Sequence, residues 1–284
     1  MSKSKHTSSL PEKDLETLII AKKDLENIGV IMKGVNSMGG AIDSGIKFIP
    51  KKQQEWLQKN ISGLLKQIVS LNLSTMQKGK AFKDPSEKTY KAIVTGSGAL
   101  GGFFGSTTGI GTLAFAADLG LATNVMMRSI MDIARSEGED LYDVETQLNC
   151  IQVFAMGGKS KDDDSMDTIY YGGRVALDNA VKGASSYLAK NGIQGLNKLL
   201  MNSSNPLMKL LSMITSRFTV QVSEKFMAQA LPIAGAAGGG AINLLFINHF
   251  QKMARAHFAI RRLEREYGKD LVKNLYLEIN IDEK

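Results

Sequence analysis

Cysteine is all but absent from this 284-residue chain: Cys150 stands alone. No intrachain disulfide can form, and a reducing compartment is expected. Histidine is nearly as scarce. His6, His249 and His257 are the full set, and no HExxH, CxxC or paired metal-ligand spacing occurs, so neither a metal nor a cofactor is expected. Proline (5) and tryptophan (1) are rare, and aromatic residues make up only 7%. The mean hydropathy of −0.09 excludes a polytopic transporter, while leaving room for one or two membrane-embedded segments. The opening stretch MSKSKHTSSL is basic and has no apolar core, so no secretory signal is expected. Residues 1–12 read as a disordered tail.

Two things are plentiful. Hydrophobic residues, at 43%, suffice for a buried core. Glycine, at 28 residues, is concentrated in two places. The 35 Lys+Arg against 28 Asp+Glu leave a net charge of +7, which suits an anionic partner.

Apolar residues recur at helical spacing almost throughout, which predicts an all-α chain: a helical bundle. Residues 13–90 read as an N-terminal helical region and 91–284 as a core. Pro11, Glu12 and Asp14 form a helix start. A second helix is expected from Lys51 to about Met76, with Trp56 either a core anchor or a membrane-interface residue. Further helices are expected over 142–156, 166–190, 195–201 and 206–230.

Between Lys91 and Asp118 lie 26 residues without a charge, AIVTGSGALGGFFGSTTGIGTLAFAA; between Lys225 and Lys252 lie 26 more, FMAQALPIAGAAGGGAINLLFINHFQ. As continuous helices each would extend about 39 Å, long enough to cross a hydrocarbon core of about 30 Å. Composition argues against simple spanning, because most of the first segment is Gly, Ala, Ser and Thr. Gly101, Gly105 and Gly109 share one helical face, as do Gly235 and Gly239. Small residues at that spacing let two helices meet backbone to backbone. The segments are expected as tightly crossed helical hairpins, either in a soluble core or at a membrane.

The two segments align at an offset of 130 residues, without a gap from Gly105 to Leu141. Gly105 matches Gly235, Gly109 matches Gly239, Arg135 matches Arg265 and Gly138 matches Gly268. Each unit reads as a glycine-rich hairpin, a long helix, a glycine stop and another helix, a duplication around a pseudo-twofold.

Other motifs compete with this reading. Gly96-Ser97-Gly98-Ala99-Leu100-Gly101 is a literal GxGxxG, preceded by the strand-like Ala92–Thr95 and followed by Asp118 near where a ribose-binding acid falls. It makes dinucleotide binding an alternative, although no strand–helix alternation surrounds it. Gly158-Lys159-Ser160 resembles the end of a phosphate-binding loop, but Val153 stands where its first glycine belongs. A hydrolase would use His249 or His257, with Cys150 or Asp118; no catalytic arrangement is evident, and no GxSxG elbow occurs. Asp118 is open to three readings: a cap for a helix over 119–135, a buried partner for Arg128 or Arg255, or a ligand contact at a membrane face. With Arg128, Asn243, His249 and His257 it makes up a possible polar site. The helix expected over 243–267 carries Arg255, Arg261, Arg262 and Arg265, a stripe suited to anionic headgroups. Phe103, Phe104, Leu244, Leu245 and Phe246 would supply apolar contact with lipid. No aromatic residues interleave with the arginines for base stacking, so nucleic acid is not an expected partner.

The stretch LPIAGAAGGGAINLLFINHFQKMARAHFAIRRLEREYG, from Leu231 to Gly268, resembles the EcsC family in its Pro before a glycine-rich run, its Ala-Ile-Asn, its His-Phe pairs and its Arg-Arg-Leu-Glu with Tyr-Gly. The first unit and Ile49-Pro50-Lys51 are similar to that family too, over about residues 25–280. Gly120 departs from it, standing where a proline would follow Asp118. The resemblance implies a bacterial-type protein on the cytoplasmic face of the inner membrane, peripheral or monotopic, with soluble cytoplasmic as the alternative. Its partners would be anionic membrane lipids and a membrane protein such as an ABC transporter. Some members of the family carry a peptidase label. The expected role is a lipid-binding or membrane-protein accessory factor.

Overall fold

Helix starts in this chain are marked by proline and short polar side chains. The carbonyl of Pro11 accepts from the amides of Asp14 and Leu15, and that of Pro50 from Gln53 and Gln54. Asp143 caps the helix after it by accepting from the Thr146 amide, and Asn205 accepts from the Met208 amide at the start of another. In the computed structural model, which describes residues 10–26, 49–74, 87–102, 109–157, 169–192, 196–230 and 235–280, these signals open long helices. They are α1 (Glu12–Glu26), α2 (Lys51–Ser74), α3 (Glu87–Gly102), α4 (Gly109–Ser136), α5 (Val144–Gln152), α6 (Ile169–Asn191), α7 (Leu196–Met201), α8 (Pro206–Ala230), α9 (Gly235–Tyr267) and α10 (Lys269–Glu278). A 3-10 turn, Val153–Ala155, extends α5. There are no strands among the described residues, and the protein is an all-α bundle.

The 33 residues of α9 extend about 50 Å and form the spine. Helices α1, α3 and α4 pack along it, while α8 packs against α6 and α2. Phe154, Phe218, Phe246 and Phe250 pack in the core with ring centroids 5.0 to 6.2 Å apart. Such buried rings are the largest apolar contributors a helical core has.

The uncharged segments are not continuous helices. The first is divided between α3, ending at Gly102, and α4, starting at Gly109; the second between α8, ending at Ala230, and α9, starting at Gly235. The GxGxxG lies inside α3, and Ala92–Thr95 are helical as well. A dinucleotide fingerprint needs a strand-to-helix turn whose amides are free for pyrophosphate; within a helix most of those amides are already bonded.

The duplicated units share their glycine stops. Gly138 and Gly268 both take left-handed backbone, at φ 81° and 92°, as glycine does where a helix ends. Their relative placement differs from a simple twofold. Side-chain hydrogen bonds between α4 or the turn after it and α9 join residues 122 to 126 apart: Asn243 to Asp118, Gln251 to Ser129, Arg261 to Glu139, Arg262 to Glu137 and Arg265 to Glu139. The residue numbers rise together, so α4 and α9 run parallel. Equivalent positions lie 130 apart in sequence, which leaves a stagger of four to eight residues, about 6–12 Å.

Candidate functional site

Parallel α4 and α9 bring their N-termini to one end of the molecule. Four helices meet just inside that end. The Lys225 ammonium of α8 donates to Asp118 Oδ2 of α4 at 2.7 Å. The Asn243 amide of α9 donates to Asp118 Oδ1 at 2.7 Å and to the Val94 carbonyl of α3 at 2.8 Å. Lys225 and Asn243 are fully buried and Asp118 is 5% exposed. Phe246 and Phe115 face the ammonium with ring centroids 5.0 and 5.7 Å away. Burial pulls the Lys225 pKa down, and Asp118 beside it pushes the other way. Two charges removed from water in this way persist only because they are paired and hydrogen-bonded.

This arrangement settles the place of Asp118. Because α4 starts at Gly109 rather than Leu119, Asp118 is no cap but a mid-helix residue. Its ion-pair partner is Lys225, not Arg128, which is exposed. The helix passes through Gly120, where a Cβ would meet nothing within 4 Å. Sequence reasoning missed Lys225, although a signal existed: Asp118 closes one uncharged run and Lys225 opens the other.

Outside this internal pair aliphatic side chains reach the surface. At the same height Ile93 of α3, Leu121 of α4 and Leu244 of α9 are 46%, 47% and 36% exposed. Leu245 is half-buried, and Phe246 is fully buried in the phenylalanine cluster, turned away from solvent. Trp56 near the start of α2 is half-buried and contacts the core, its ring 6.5 Å from Phe115. Gly101 lies in the last turn of α3; Gly109 opens α4, and Gly235 and Gly239 lie in the first turns of α9. Phe103, Phe104, Gly105 and the Gly158-Lys159-Ser160 stretch lie outside the described residues.

The opposite end is held by charge. Glu139, in the turn after α4, accepts from Arg261 Nε at 2.8 Å and also from Arg265. Arg262 donates to Glu137 at 2.9 Å and to Asp14 of α1 at 3.3 Å, and Tyr267 donates to Asp14 at 2.7 Å. Burial works against the Glu139 charge, but Arg261 and Arg265 outweigh it and hold its pKa below the usual range. Arg261, Arg262 and Arg265 of the stripe thus bind acids of this chain. They lie well away from Leu244: Arg261 is 17 residues further along α9, about 25 Å.

The two helix-borne histidines stand apart from each other. His257 shares a hydrogen bond of 3.1 Å with the Tyr170 hydroxyl, beside Arg174, which grips Glu264 at 2.6 and 2.8 Å. His249 packs under Gly157, whose φ of 74° and lack of a side chain are both required: a Cβ there would sit 2.4 Å from the imidazole. Burial lowers the His249 pKa to about 4 and that of His257 well below its ordinary value, so both are neutral at pH 7. Cys150 is fully buried, and burial raises its thiol pKa. Asp118, Cys150, His249 and His257 therefore occupy different surroundings, and no shared cleft collects them. A small cleft of about 30 Å³ is lined by Tyr170, Arg174, Arg217 and Met156.

Among the described residues no helix is long and apolar enough to cross a membrane, and no group of three or more His, Cys, Asp or Glu is placed to hold a metal. Comparison with curated proteins and with solved structures returns no match. The model of the EcsC protein family matches residues 6–263, nearly the whole chain, and the protein belongs to that family.

Proposed function

We propose that this protein is a membrane-surface factor that meets lipid with the end where α4 and α9 begin. The observation that carries this reading is the parallel course of α4 and α9. It brings the exposed Ile93, Leu121 and Leu244 of three helices to one end. The charges nearest to that end inside the bundle, Lys225 and Asp118, neutralise each other and are buried. Exposed aliphatic side chains there, Ile93, Leu121 and Leu244, supply surface that gains by leaving water, about 25 cal/mol per Å² buried. The mode is interfacial rather than spanning.

Vesicle flotation of the full chain tests this. The wild-type protein floats with vesicles, and a Leu121→Glu, Leu244→Glu double variant does not. Leu71→Glu, an equally exposed position on the last turns of α2, floats as the wild type does. A wild-type protein that stays in the aqueous fraction with every lipid mixture overturns the reading.

A further inference from the structure

Glu224 stands next to Lys225 on α8 but shares none of its bonding. Lys225 turns inward to Asp118. Glu224, about 100° away around the helix, is half-buried and has no hydrogen-bond or ion-pair partner among the described residues. Val220 and Met227, four residues before it and three after, share its face of α8 and are half-buried too. That face is apolar and returns no hydrogen bond to the carboxyl.

The buried pair fixes the level of this group. Lys225 and Asn243 both bind Asp118, and Glu224 and Leu244 are each one residue further from the end on their own helices. They therefore stand at nearly the same height. Phe226, two residues nearer the end than Glu224, packs edge-on against Phe115 at 5.1 Å. Gln221, three residues further from the end, donates to the Met156 carbonyl at 2.6 Å. Docking that carries Leu244 into lipid carries Glu224 to the headgroup layer with it.

The elements packed on α8 bring few charges to this height. On α2 they are Glu55 and Lys59, on either side of Trp56, and Lys59 makes no ion pair with Glu224. On α9 the titratable group is His249, neutral because burial lowers its pKa to about 4. The 3-10 turn has none. The first charge of α6, Arg174, is held by Glu264 and Asp178. Lys198 of α7 adjoins the far end of α8, and Arg217 lies about 10 Å along α8 from Glu224. Burial is thus what moves the Glu224 pKa, up from 4.5 to about 7.

We propose that Glu224 is a proton switch on the lipid-facing end: with its carboxyl neutral this end enters the headgroup layer, and with the carboxylate ionised it is held off. This rests on the membrane reading above and adds its regulation. An ionised carboxylate resists leaving water far more than the neutral acid does, and anionic headgroups repel it as well. Docking therefore takes up a proton, and affinity rises as pH falls from 8 to 6.

The test measures binding of the full chain to phosphatidylglycerol vesicles, whose phosphates stay ionised across this range, at pH 6 and pH 8. Wild type is expected to bind about tenfold more tightly at pH 6, the limit in which only the neutral form docks. Glu224→Gln is expected to bind at both pH values as wild type does at pH 6. Glu55→Gln, which removes an exposed acid near the same height, keeps the wild-type pH dependence. Melting curves at both pH values confirm that all three are folded. Equal wild-type affinity at the two pH values overturns the switch and leaves the membrane reading intact. A pH dependence that survives in Glu224→Gln belongs to another group and also overturns it. Absence of wild-type binding at either pH overturns both readings.

Discussion

The two ends of the α4–α9 pair are built from equivalent sequence and solve opposite problems. At the N-terminal end one carboxylate and one ammonium are sealed inside, beneath exposed aliphatic side chains. At the C-terminal end Glu137 and Glu139 clasp three arginines at and near the surface, and α1 adds Asp14. The difference teaches that this chain uses charge in two ways. Buried, it fixes the register of four helices beneath an apolar face. Half-exposed, it fastens one repeat to the other. Only the first lies beneath exposed aliphatic side chains.

The largest effect is expected from breaking the sealed pair. Lys225→Ala strands the Asp118 carboxylate without its ion-pair partner, and destabilisation of roughly 3–5 kcal/mol is expected in chemical denaturation. Asp118→Leu combined with Lys225→Met removes both charges and is expected to cost much less than either single change. If the double variant is worse than both, the pair is not the tie described here.

A smaller loss is expected at the other end. Glu139→Gln removes the charge that Arg261 and Arg265 share and should cost about 1.5–3 kcal/mol. Because the folded pKa of Glu139 is depressed, the stability it contributes is present above the ordinary carboxylate range and is lost as pH falls through the folded value. The deficit of the variant should therefore shrink in acid, which melting at a series of pH values will read.

The smallest effect has the opposite pH sign. Glu224 has a folded pKa raised by burial from 4.5 to about 7, so ionisation costs the folded state stability as pH rises across that interval. Glu224→Gln is expected to melt higher than wild type at pH 8, by roughly 2–4 °C, with the gap closing near pH 4. A gap that widens in acid would show that Glu224 gains a partner in the fold.

Much of this architecture was legible in the chain. Pro11, Pro50 and Pro206 mark helix starts because proline fits the first turn, and Gly138 and Gly268 mark stops because only there does left-handed backbone cost nothing. The uncharged runs were visible as well, and so was the family resemblance. What sequence did not show was direction and partnership. Parallel α4 and α9, 125 residues apart at Asp118 and Asn243, leave no local trace. Arg261, Arg262 and Arg265 look in isolation like a solvent-facing stripe, since periodicity fixes a face but not what covers it. Phe246 was placed at a lipid face by its neighbours Leu244 and Leu245, yet a helix turns about 100° per residue and carries it into the core. The strand-like Ala92–Thr95 became helical because α3 packs along α9 and α4, a tertiary influence that β-branched residues do not override.

The account turns on which end of the molecule meets lipid, and spin-label accessibility measures that directly. Nitroxides are placed singly at Leu244, at the apolar end, and at Glu266, an exposed position about 33 Å further along α9. With phosphatidylglycerol vesicles, the label at Leu244 is expected to gain contact with oxygen dissolved in lipid and lose contact with an aqueous relaxant, while the label at Glu266 stays in water. Lipid contact at Glu266, or no change at Leu244, would contradict the account.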